Sequence, residues 1–473
     1  MRVTLDKTSD TPLTEQITRS IMMLIDNRAL RSGTRMPSIR GFSLSHGVSR
    51  FTSVQAYDRL VASGYLYSRP GSGFYVASRA VQTGPSEPAV KLDNAMDVLW
   101  LLRNALTQPV LNAVVPAVAL PGAGWLPHDW MDAQGIQKTL RALAQKPARY
   151  LTEYGSPQGY LPLREQLQQR LAEYQITLSA EQVLLTMGAT HALDLIARYF
   201  VRQGDTVLVD DPGYFILYGT LKSYGANVVG VPWNVDGPDV EKLEQLIHEH
   251  KPEIFFTNTV LHNPTGASIS LAVAHRVLQL AERADMMIVE DDVFGDFHPH
   301  SISRLATLDQ LQRVIYISSF SKTISASMRV GFIAASADIT QQLTDLKLLS
   351  GITTSEVNER MVHQMLVSGQ YRKYLGKLHK RLQQCREQAL DNFDQMGLTP
   401  YTEPQGGLFV WLELPEHVDI IEMSSCATEQ GITLAPGNLF RPHQAPSQWM
   451  RFNVASCNEK AHLKFIQGYI NSG

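Results

Sequence analysis

The chain has 473 residues, of which 44% are hydrophobic and 18% charged, and its formal net charge is −3 at pH 7. This composition excludes a disordered protein, and the length predicts two or three domains with cores of their own. Three widely separated cysteines argue against a disulfide framework or a zinc site. The N-terminus lacks an apolar signal core, and no apolar run approaches the roughly 20 residues that span a bilayer. We therefore expect a cytoplasmic protein without a structural metal.

Charge is unevenly distributed along the chain. Residues 1–80 hold eleven Lys and Arg against five Asp and Glu, whereas the remaining residues hold 31 against 40. A basic N-terminal segment on an acidic body indicates a polyanionic partner for the first, although a solvated basic surface explains the charge equally well. Charge alone leaves both interpretations open.

The N-terminal segment shows the pattern of three helices and a hairpin. Apolar residues on one stripe predict an amphipathic first helix that ends near "RSG"; they are Leu13, Ile17, Ile21, Leu24 and Ile25. A second helix is expected from about Ser38, a turn at "HGVS", and a third helix from about Arg50. In "YSRPGSGFYVA" two glycines permit a tight hairpin. The pattern is typical of a winged helix-turn-helix, which lays its later helix in the DNA major groove.

Three blocks of this segment, "PSIR", "GVSRFTSVQAYDRL" and "GSGFYV", resemble in order and spacing the winged helix-turn-helix of GntR-type bacterial transcription regulators. The resemblance implies a DNA-binding domain over residues 1–78. In that domain two arginines contact DNA backbone or base edges, two hydroxyl residues begin the recognition helix, and a short turn shapes the wing. The residues concerned are Arg40, Arg50, Thr52, Ser53, Gly71, Ser72 and Gly73. Taken singly, each has an ordinary alternative, because serines cap helices and exposed arginines are often only solvated.

A change of composition separates this segment from the rest of the chain. Small residues, two prolines and little apolar periodicity predict a linker over residues 79–95. In residues 96–473, apolar runs such as "TVLVD", "IFFT" and "VIYIS" alternate with longer helical segments such as "LAVAHRVLQLAERAD". This alternation predicts an α/β body with a mainly parallel sheet covered by helices.

A lysine with hydroxyl and cationic neighbours stands out in "SSFSKTISASMRVGF", residues 318–332. A protonated lysine is a weak nucleophile, so a catalytic lysine must be buried or lie near positive charge, usually to form a Schiff base with an aldehyde. Pyridoxal phosphate supplies such an aldehyde to Lys322, and hydroxyls and an arginine suit its phosphate. Ser319, Ser321 and Arg329 meet that need. In isolation, the segment would more often be a serine-rich surface loop.

Four further motifs supply the other groups that this cofactor needs. Asp291, at the end of the apolar strand in "MIVEDDVFGDF", is suited to pair with a pyridinium nitrogen. Asn263 in "LHNPTG" is a neutral donor for the ring's phenolic oxygen, and Tyr214 in "DDPGYF" is able to stack on the ring. The motif "TMGATHALDL" opens a helix whose first backbone amides are suited to phosphate; they belong to Gly188, Ala189 and Thr190.

These motifs, in this order, resemble the fold-type I aminotransferases of the aspartate aminotransferase superfamily over roughly residues 115–473. The resemblance implies a pyridoxal 5′-phosphate-dependent transferase fold with large and small subdomains, in which Lys322 is the Schiff-base lysine. In "EYGSPQGYLPLR" it implies that Tyr154 reaches the phosphate of a neighbouring subunit, and therefore a homodimer. In "MRFNVAS" it implies that Arg451 binds the substrate's α-carboxylate, for which the planar guanidinium gives two-point contact.

A winged helix joined to an aminotransferase-like body is the composition of the MocR subgroup of GntR regulators, and the resemblance covers nearly the whole chain. One departure concerns a tyrosine that usually follows the pyridine-binding aspartate and donates to the phenolic oxygen. Here Val293 and Phe294 stand in that region. Because one donor is missing, we expect a higher pKa for the lysine nitrogen once it is bonded to the cofactor.

Three functions remain open at this point. The first is a transcription regulator whose body binds pyridoxal phosphate, alone or with an amino-acid-like effector, and transmits that binding to a double-stranded DNA operator. The second is a working aminotransferase, which Lys322, Asp291 and Arg451 support and Phe294 weakens. The third is a dimerisation scaffold without cofactor, against which the completeness of the lysine, aspartate and phosphate set argues. We favour the first.

Overall fold

The computed structural model of the chain describes residues 11–26, 30, 33–69, 73–77, 120–300 and 302–471. The chain divides into two compact units, Met1–Lys91 and Leu92–Gly473. The predicted linker lies outside the described residues, as do Gly71 and Ser72 of the predicted wing. Within the described ranges, no helix is long and apolar enough to cross a membrane, and no group of three His, Cys, Asp or Glu side chains suits a metal ion.

The first unit is a winged helix-turn-helix. Its elements are α1 (Leu13–Asp26), α2 (Ile39–His46), α3 (Arg50–Ala62), β1 (Leu66–Arg69) and β2 (Gly73–Val76), and the two strands pair antiparallel. Ser38 and Ser49 cap α2 and α3, because their hydroxyls accept hydrogen bonds from the backbone amides of Gly41 and Thr52 at 3.1 and 2.9 Å. The predicted helices and hairpin are thereby confirmed.

The core of this unit gathers the apolar faces of the three helices and the hairpin. Ile17 and Ile21 of the predicted stripe are fully buried, together with Phe42, Tyr57 and Leu60. The Tyr57 hydroxyl donates to the Pro37 carbonyl at 3.0 Å, so its polar end is also satisfied. Each fully buried side chain of this kind stabilises the unit by about 1.5–3 kcal/mol relative to exposure.

An eight-stranded mixed sheet runs through the described part of the second unit. Its strands are β3 (Val183–Thr186), β4 (Thr206–Asp211), β5 (Asn227–Asn234), β6 (Gly237–Pro238), β7 (Ile254–Thr257), β8 (Met287–Asp291), β9 (Val314–Ser319) and β10 (Gly331–Ala334). They lie in the order β3-β10-β9-β8-β7-β4-β5-β6. The central strands β5, β4, β7, β8 and β9 pair in parallel, as predicted, whereas β10 is antiparallel to both its neighbours. The segment between β9 and β10 contains turns but no helix, and a parallel return needs a longer crossover.

Helices cover both faces of this sheet. They are α4 (Ala133–Ala144), α5 (Arg149–Thr152), α6 (Leu161–Ala172), α7 (Ala189–Phe200), α8 (Phe215–Ser223), α9 (Val240–His250), α10 (Leu271–Ala284), α11 (Leu305–Asp309), α12 (Ala337–Gly351) and α13 (Glu356–Val367). Neighbouring strand residues enter different cores: Phe255 packs in one apolar cluster, and Ile254 and Phe256 pack in another. Burial on both faces explains why the strands are continuous apolar runs in the sequence.

A smaller subdomain follows the sheet in the chain. It contains α14 (Gln370–Gln395), β11 (Phe409–Glu413), α15 (Ile420–Glu429), β12 (Ala435–Pro436), β13 (Trp449–Asn453) and α16 (Lys460–Ile470). The three strands lie in the order β11-β13-β12 and pair antiparallel over a separate apolar core. The large and small subdomains implied by the sequence are therefore both present.

Candidate functional site

The candidate cofactor site lies at the carboxyl ends of the central strands of the large sheet. Four of these strands point in the same direction, and they end at Asp211, Thr257, Asp291 and Ser319. Lys322 follows the last of them by three residues. Ligands of α/β sheets bind outside the carboxyl ends of the strands.

Lys322 has an environment that favours its neutral form. Burial, together with the positive charges of Arg451 and Arg329, lowers the pKa of Lys322 to about 8, although Asp291 opposes the shift. The neutral amine is the form that attacks an aldehyde. At neutral pH, the fraction of nucleophilic lysine is therefore much larger than for an exposed lysine.

Among the described residues, Asp291 is a buried carboxyl group without an ion pair at contact distance. Burial raises the pKa of Asp291 to about 7, and the neighbouring Asp292 adds to the shift, while the Val293 amide and Lys322 oppose it. The Val293 amide donates to its Oδ1 at 3.1 Å. A protonated ring nitrogen would supply the missing positive charge, so this carboxyl fits a pyridine ring.

Asn258, which sequence analysis missed, holds the strand ends together. Its backbone amide donates to Asp210 Oδ2 at 2.8 Å, and its side-chain nitrogen donates to the Asp291 carbonyl at 2.6 Å. Its Oδ1 accepts a hydrogen bond from the backbone amide of Asn263 at 2.7 Å. Asn258 thus fixes the turn that carries Asn263 relative to the strand that carries Asp291.

Arg451 and Asn263 meet although they are far apart in sequence. Arg451 Nη1 donates to Asn263 Oδ1 at 2.6 Å, and Nη2 donates to the Gly122 carbonyl at 2.7 Å. Because the side-chain oxygen of Asn263 accepts this hydrogen bond, its side-chain nitrogen is available to donate to a ligand oxygen.

The guanidinium of Arg451 has surroundings that favour the binding of an anion. It lies 4.4 Å from the ring centroid of Phe409 and 4.8 Å from that of Phe440. Its Nε is buried without a hydrogen-bond partner among the described residues. Burial lowers the pKa of Arg451 to about 9. A carboxylate would restore both the charge partner and the hydrogen bond.

The residues predicted to bind the phosphate lie together near the N-terminus of α7. Ser321 Oγ accepts hydrogen bonds from Ser319 Oγ at 2.9 Å and from Arg329 Nη1 at 3.3 Å. Gly188 has a φ of +78°, and a Cβ atom there would lie 2.8 Å from the Arg329 guanidinium. Glycine adopts this φ without strain and leaves the Arg329 guanidinium in place. Ala189 and Thr190 follow as the first residues of the helix, where free backbone amides and the helix dipole favour an anion.

The two tyrosines that were predicted to contact the cofactor have different surroundings. Tyr214 precedes α8, and burial raises the pKa of Tyr214 to about 12, although the nearby Thr190 side chain opposes the shift. Tyr154, in contrast, is 81% exposed and does not join the site within one chain. Its predicted role requires a second subunit.

Phe294 lies beside the lysine, in the region where the resemblance to aminotransferases implies a tyrosine hydroxyl. Its buried ring packs against Phe409 with a centroid separation of 5.0 Å, and Lys322 Nζ lies 6.0 Å from its centroid. The lysine therefore faces an apolar ring at this point.

The winged-helix unit presents only some of the predicted DNA-binding residues to solvent. Arg40 and Arg50 are exposed, and Gly73 begins β2 with a φ of +106°. The Thr52 hydroxyl is bonded to Ser49 Oγ at 2.7 Å. Ser53 is fully buried, and its hydroxyl is bonded to Ser43 Oγ at 2.9 Å. Ser53 therefore joins α3 to α2 and does not face solvent.

Fold and site together define a two-domain protein, with a DNA-binding winged helix and a pyridoxal phosphate-dependent transferase fold. Residues 13–76 match the model of "Bacterial regulatory proteins, gntR family", and residues 122–467 match that of "Aminotransferase class I and II". The chain belongs to the class I and II aminotransferase family and carries a GntR-type domain, the combination of MocR-type regulators. Its cofactor is pyridoxal 5′-phosphate, which the buried Asp291 carboxyl, the buried Arg451 guanidinium and the phosphate-binding groups around Ser321 and Arg329 fit.

Relatives of both kinds are similar to this chain. The uncharacterized HTH-type transcriptional regulator YdcR of Escherichia coli K12 is 27% identical over 93% of this chain and 94% of its own length. Aromatic-amino-acid aminotransferase 1 of Thermococcus litoralis is 30% identical over 74% of this chain and 87% of its own. The structure of Pyrococcus horikoshii kynurenine aminotransferase, which contains PMP, has a TM-score of 0.70 and 26% identity over 76% of this chain and 92% of its own.

Proposed function

We propose that this protein is a cytoplasmic transcription regulator whose operator affinity responds to pyridoxal phosphate, alone or with an amino-acid-like effector. Residues 1–78 bind DNA, residues 79–95 are a linker, and residues 96–473 form the sensing body of a homodimer. The observation that supports this proposal most strongly is the convergence of Lys322 and Asp291 in a chain that also carries a GntR-type domain.

Each residue of the site has a defined task in this proposal. Lys322 would bond the cofactor's aldehyde, Asp291 would pair with the ring nitrogen, and Asn263 would donate to the phenolic oxygen. Tyr214 would pack against the ring. The phosphate is held by Gly188, Ala189, Thr190, Ser319, Ser321 and Arg329, with Tyr154 from a second subunit. When bound, the ring serves as an electron sink for bonds at the α-carbon of an amino compound.

Arg451 sets the class of effector. Its Nε is buried without a hydrogen-bond partner among the described residues, and its guanidinium lies beside two phenylalanine rings, which supports a ligand that carries a carboxylate. An amino acid or a related amino compound has this group next to the nitrogen that reacts with the cofactor.

Aminotransferase activity is a second candidate function. The lowered pKa of Lys322 favours it, because a neutral lysine is available to carry protons as well as to bond the cofactor. Phe294 weakens it, because the apolar ring beside Lys322 supplies no hydroxyl. Turnover measured with a panel of amino acids and keto acids separates the two functions.

Selection of binding sites from random duplex DNA tests the proposed function. A homodimer with one winged helix per subunit should enrich two related half-sites at a fixed spacing. Absence of any site preference over random DNA at physiological salt, with and without pyridoxal phosphate, would rule the proposal out.

Arg329→Ala is expected to weaken cofactor binding by about tenfold to a hundredfold. The substitution removes a charge-assisted hydrogen bond to the phosphate, worth about 1.5–3 kcal/mol. Titration of the cofactor-free protein with pyridoxal phosphate measures the effect. Arg372→Ala is the matched control, since Arg372 is an exposed arginine paired with Glu173. Equal affinities in the two variants would show that Arg329 does not hold the phosphate.

Phe294→Tyr is expected to lower the pH midpoint of the visible absorbance by about one to two units. A phenolic hydroxyl beside Lys322 would donate to the anionic ring oxygen and so favour the deprotonated form of the bonded lysine nitrogen. A spectroscopic pH titration measures the midpoint. Phe294→Leu, which removes the ring without adding a donor, should not lower it; a midpoint lowered equally in both variants would contradict the account.

A further inference from the structure

The recognition helix carries a large apolar side chain that contributes nothing to the core of its unit. Phe51 is the second residue of α3 and is 70% exposed. The other large apolar residues of α3 include Tyr57 and Leu60, and both are fully buried. The position of Phe51 on the surface therefore needs an explanation other than folding.

Helical periodicity places Phe51 on the face of α3 that is turned away from the core. Ser53, Ala56 and Leu60 form the buried face, whereas Phe51 and Gln55, one turn apart, are exposed. Phe51 also lies in the first turn of the helix. Helix-turn-helix proteins contact base edges with the N-terminal residues of this helix.

The charge of the unit identifies the chemistry of its partner. Eleven Lys and Arg against five Asp and Glu in residues 1–80 favour a polyanion, and the neighbouring Arg50 is exposed and suited to phosphate. On the major-groove edges of DNA, the apolar group is the 5-methyl of thymine, which phenylalanine contacts favourably. The remaining groups on these edges form hydrogen bonds that an aromatic ring cannot replace.

We propose that Phe51 is a specificity-determining residue that packs on the 5-methyl group of a thymine in each half-site of the operator. The inference rests on the proposed DNA-binding function and adds a base preference to it. It assigns to Phe51 a contact that depends on a single methyl group of the DNA.

Deoxyuridine substitution tests this contact directly, because it removes the methyl group and leaves base pairing intact. Full-length protein loaded with pyridoxal phosphate is titrated with its selected site, in which each thymine is replaced in turn. Each half-site should contain one thymine whose replacement weakens binding about fourfold. Replacing that thymine in both half-sites should weaken binding about fifteenfold.

Variants assign the methyl dependence to Phe51. Phe51→Ala should bind the thymine site more weakly and should bind thymine and deoxyuridine sites equally, whereas Phe51→Leu should keep part of the difference. Leu44→Ala is the matched control, since Leu44 is 76% exposed on α2, the helix that crosses the backbone in this motif. It should keep the full difference.

The outcomes distinguish failure of this inference from failure of the proposed function. Full methyl dependence in Phe51→Ala would overturn the inference, since another residue would then contact the thymine. If the unsubstituted protein bound every deoxyuridine-substituted site as tightly as the thymine site, the inference would be overturned without any variant. Phe51 would then be assigned to a protein contact instead. Lack of any selected site would overturn the inference and the proposed function together.

Discussion

Lys322→Ala protein is expected to lack the visible band of the lysine-bonded cofactor after incubation with pyridoxal phosphate, whereas the unsubstituted protein shows this band. The band requires a covalent bond between the lysine nitrogen and the cofactor's aldehyde, and alanine has no nitrogen. Because Ser321, Arg329 and the start of α7 still bind phosphate, the variant should retain some cofactor noncovalently. Absorbance spectra after gel filtration measure both effects.

Lys347→Met is the matched control for this experiment. Lys347 is also a buried lysine, and burial likewise lowers its pKa to about 8. Its Nζ donates to the Leu185 carbonyl and to Thr354 Oγ1 at 2.8 and 3.1 Å, which gives it a structural role. The control should keep the visible band. An unchanged spectrum in Lys322→Ala would remove Lys322 from its role.

The second large effect concerns DNA. The isolated fragment of residues 1–80 is expected to bind the selected operator about 10²- to 10⁴-fold more weakly than the full-length protein. In the proposed dimer, binding of one winged helix places the second at a high effective concentration near its half-site, and the fragment lacks this advantage. Binding isotherms at one salt concentration measure the ratio, since salt changes affinity for DNA strongly.

A control separates tethering from misfolding in this comparison. The fragment contains the whole apolar core around Phe42 and Tyr57 described for the first unit, so a cooperative thermal transition is expected. Joining the fragment to an unrelated dimeric coiled coil should recover part of the lost affinity. If the fragment alone bound as tightly as the full-length protein, a dimeric body would have no part in operator binding.

Local signals in the sequence were sufficient for much of the fold. The helix starts near Ser38 and Arg50 and the buried stripe of Ile17 and Ile21 follow from short-range spacing and were predicted correctly. The parallel central strands followed from their apolar runs. The antiparallel direction of β10 was not predicted, because strand direction depends on the length and form of the connection that precedes it.

The candidate site was predictable as a set of residues but not as an arrangement. The contact between Arg451 and Asn263 spans 188 residues, and no local pattern indicates it. Asn258 carries no recognisable motif, yet three of its groups fix the turn and strands around it. In α3, the burial of Ser53 and the exposure of Phe51 reverse what their polarity suggests, because packing of α3 on α2 decides which face is covered.

The central claim is that cofactor binding and operator binding are energetically coupled. Operator affinity of the full-length protein, measured without pyridoxal phosphate and at saturating pyridoxal phosphate, tests it most directly. The account predicts a change of about 5- to 150-fold, matched by an equal change in cofactor affinity when operator is present, because coupling is reciprocal. Equal operator affinities in the two conditions, in protein whose visible absorbance shows bound cofactor, would contradict it.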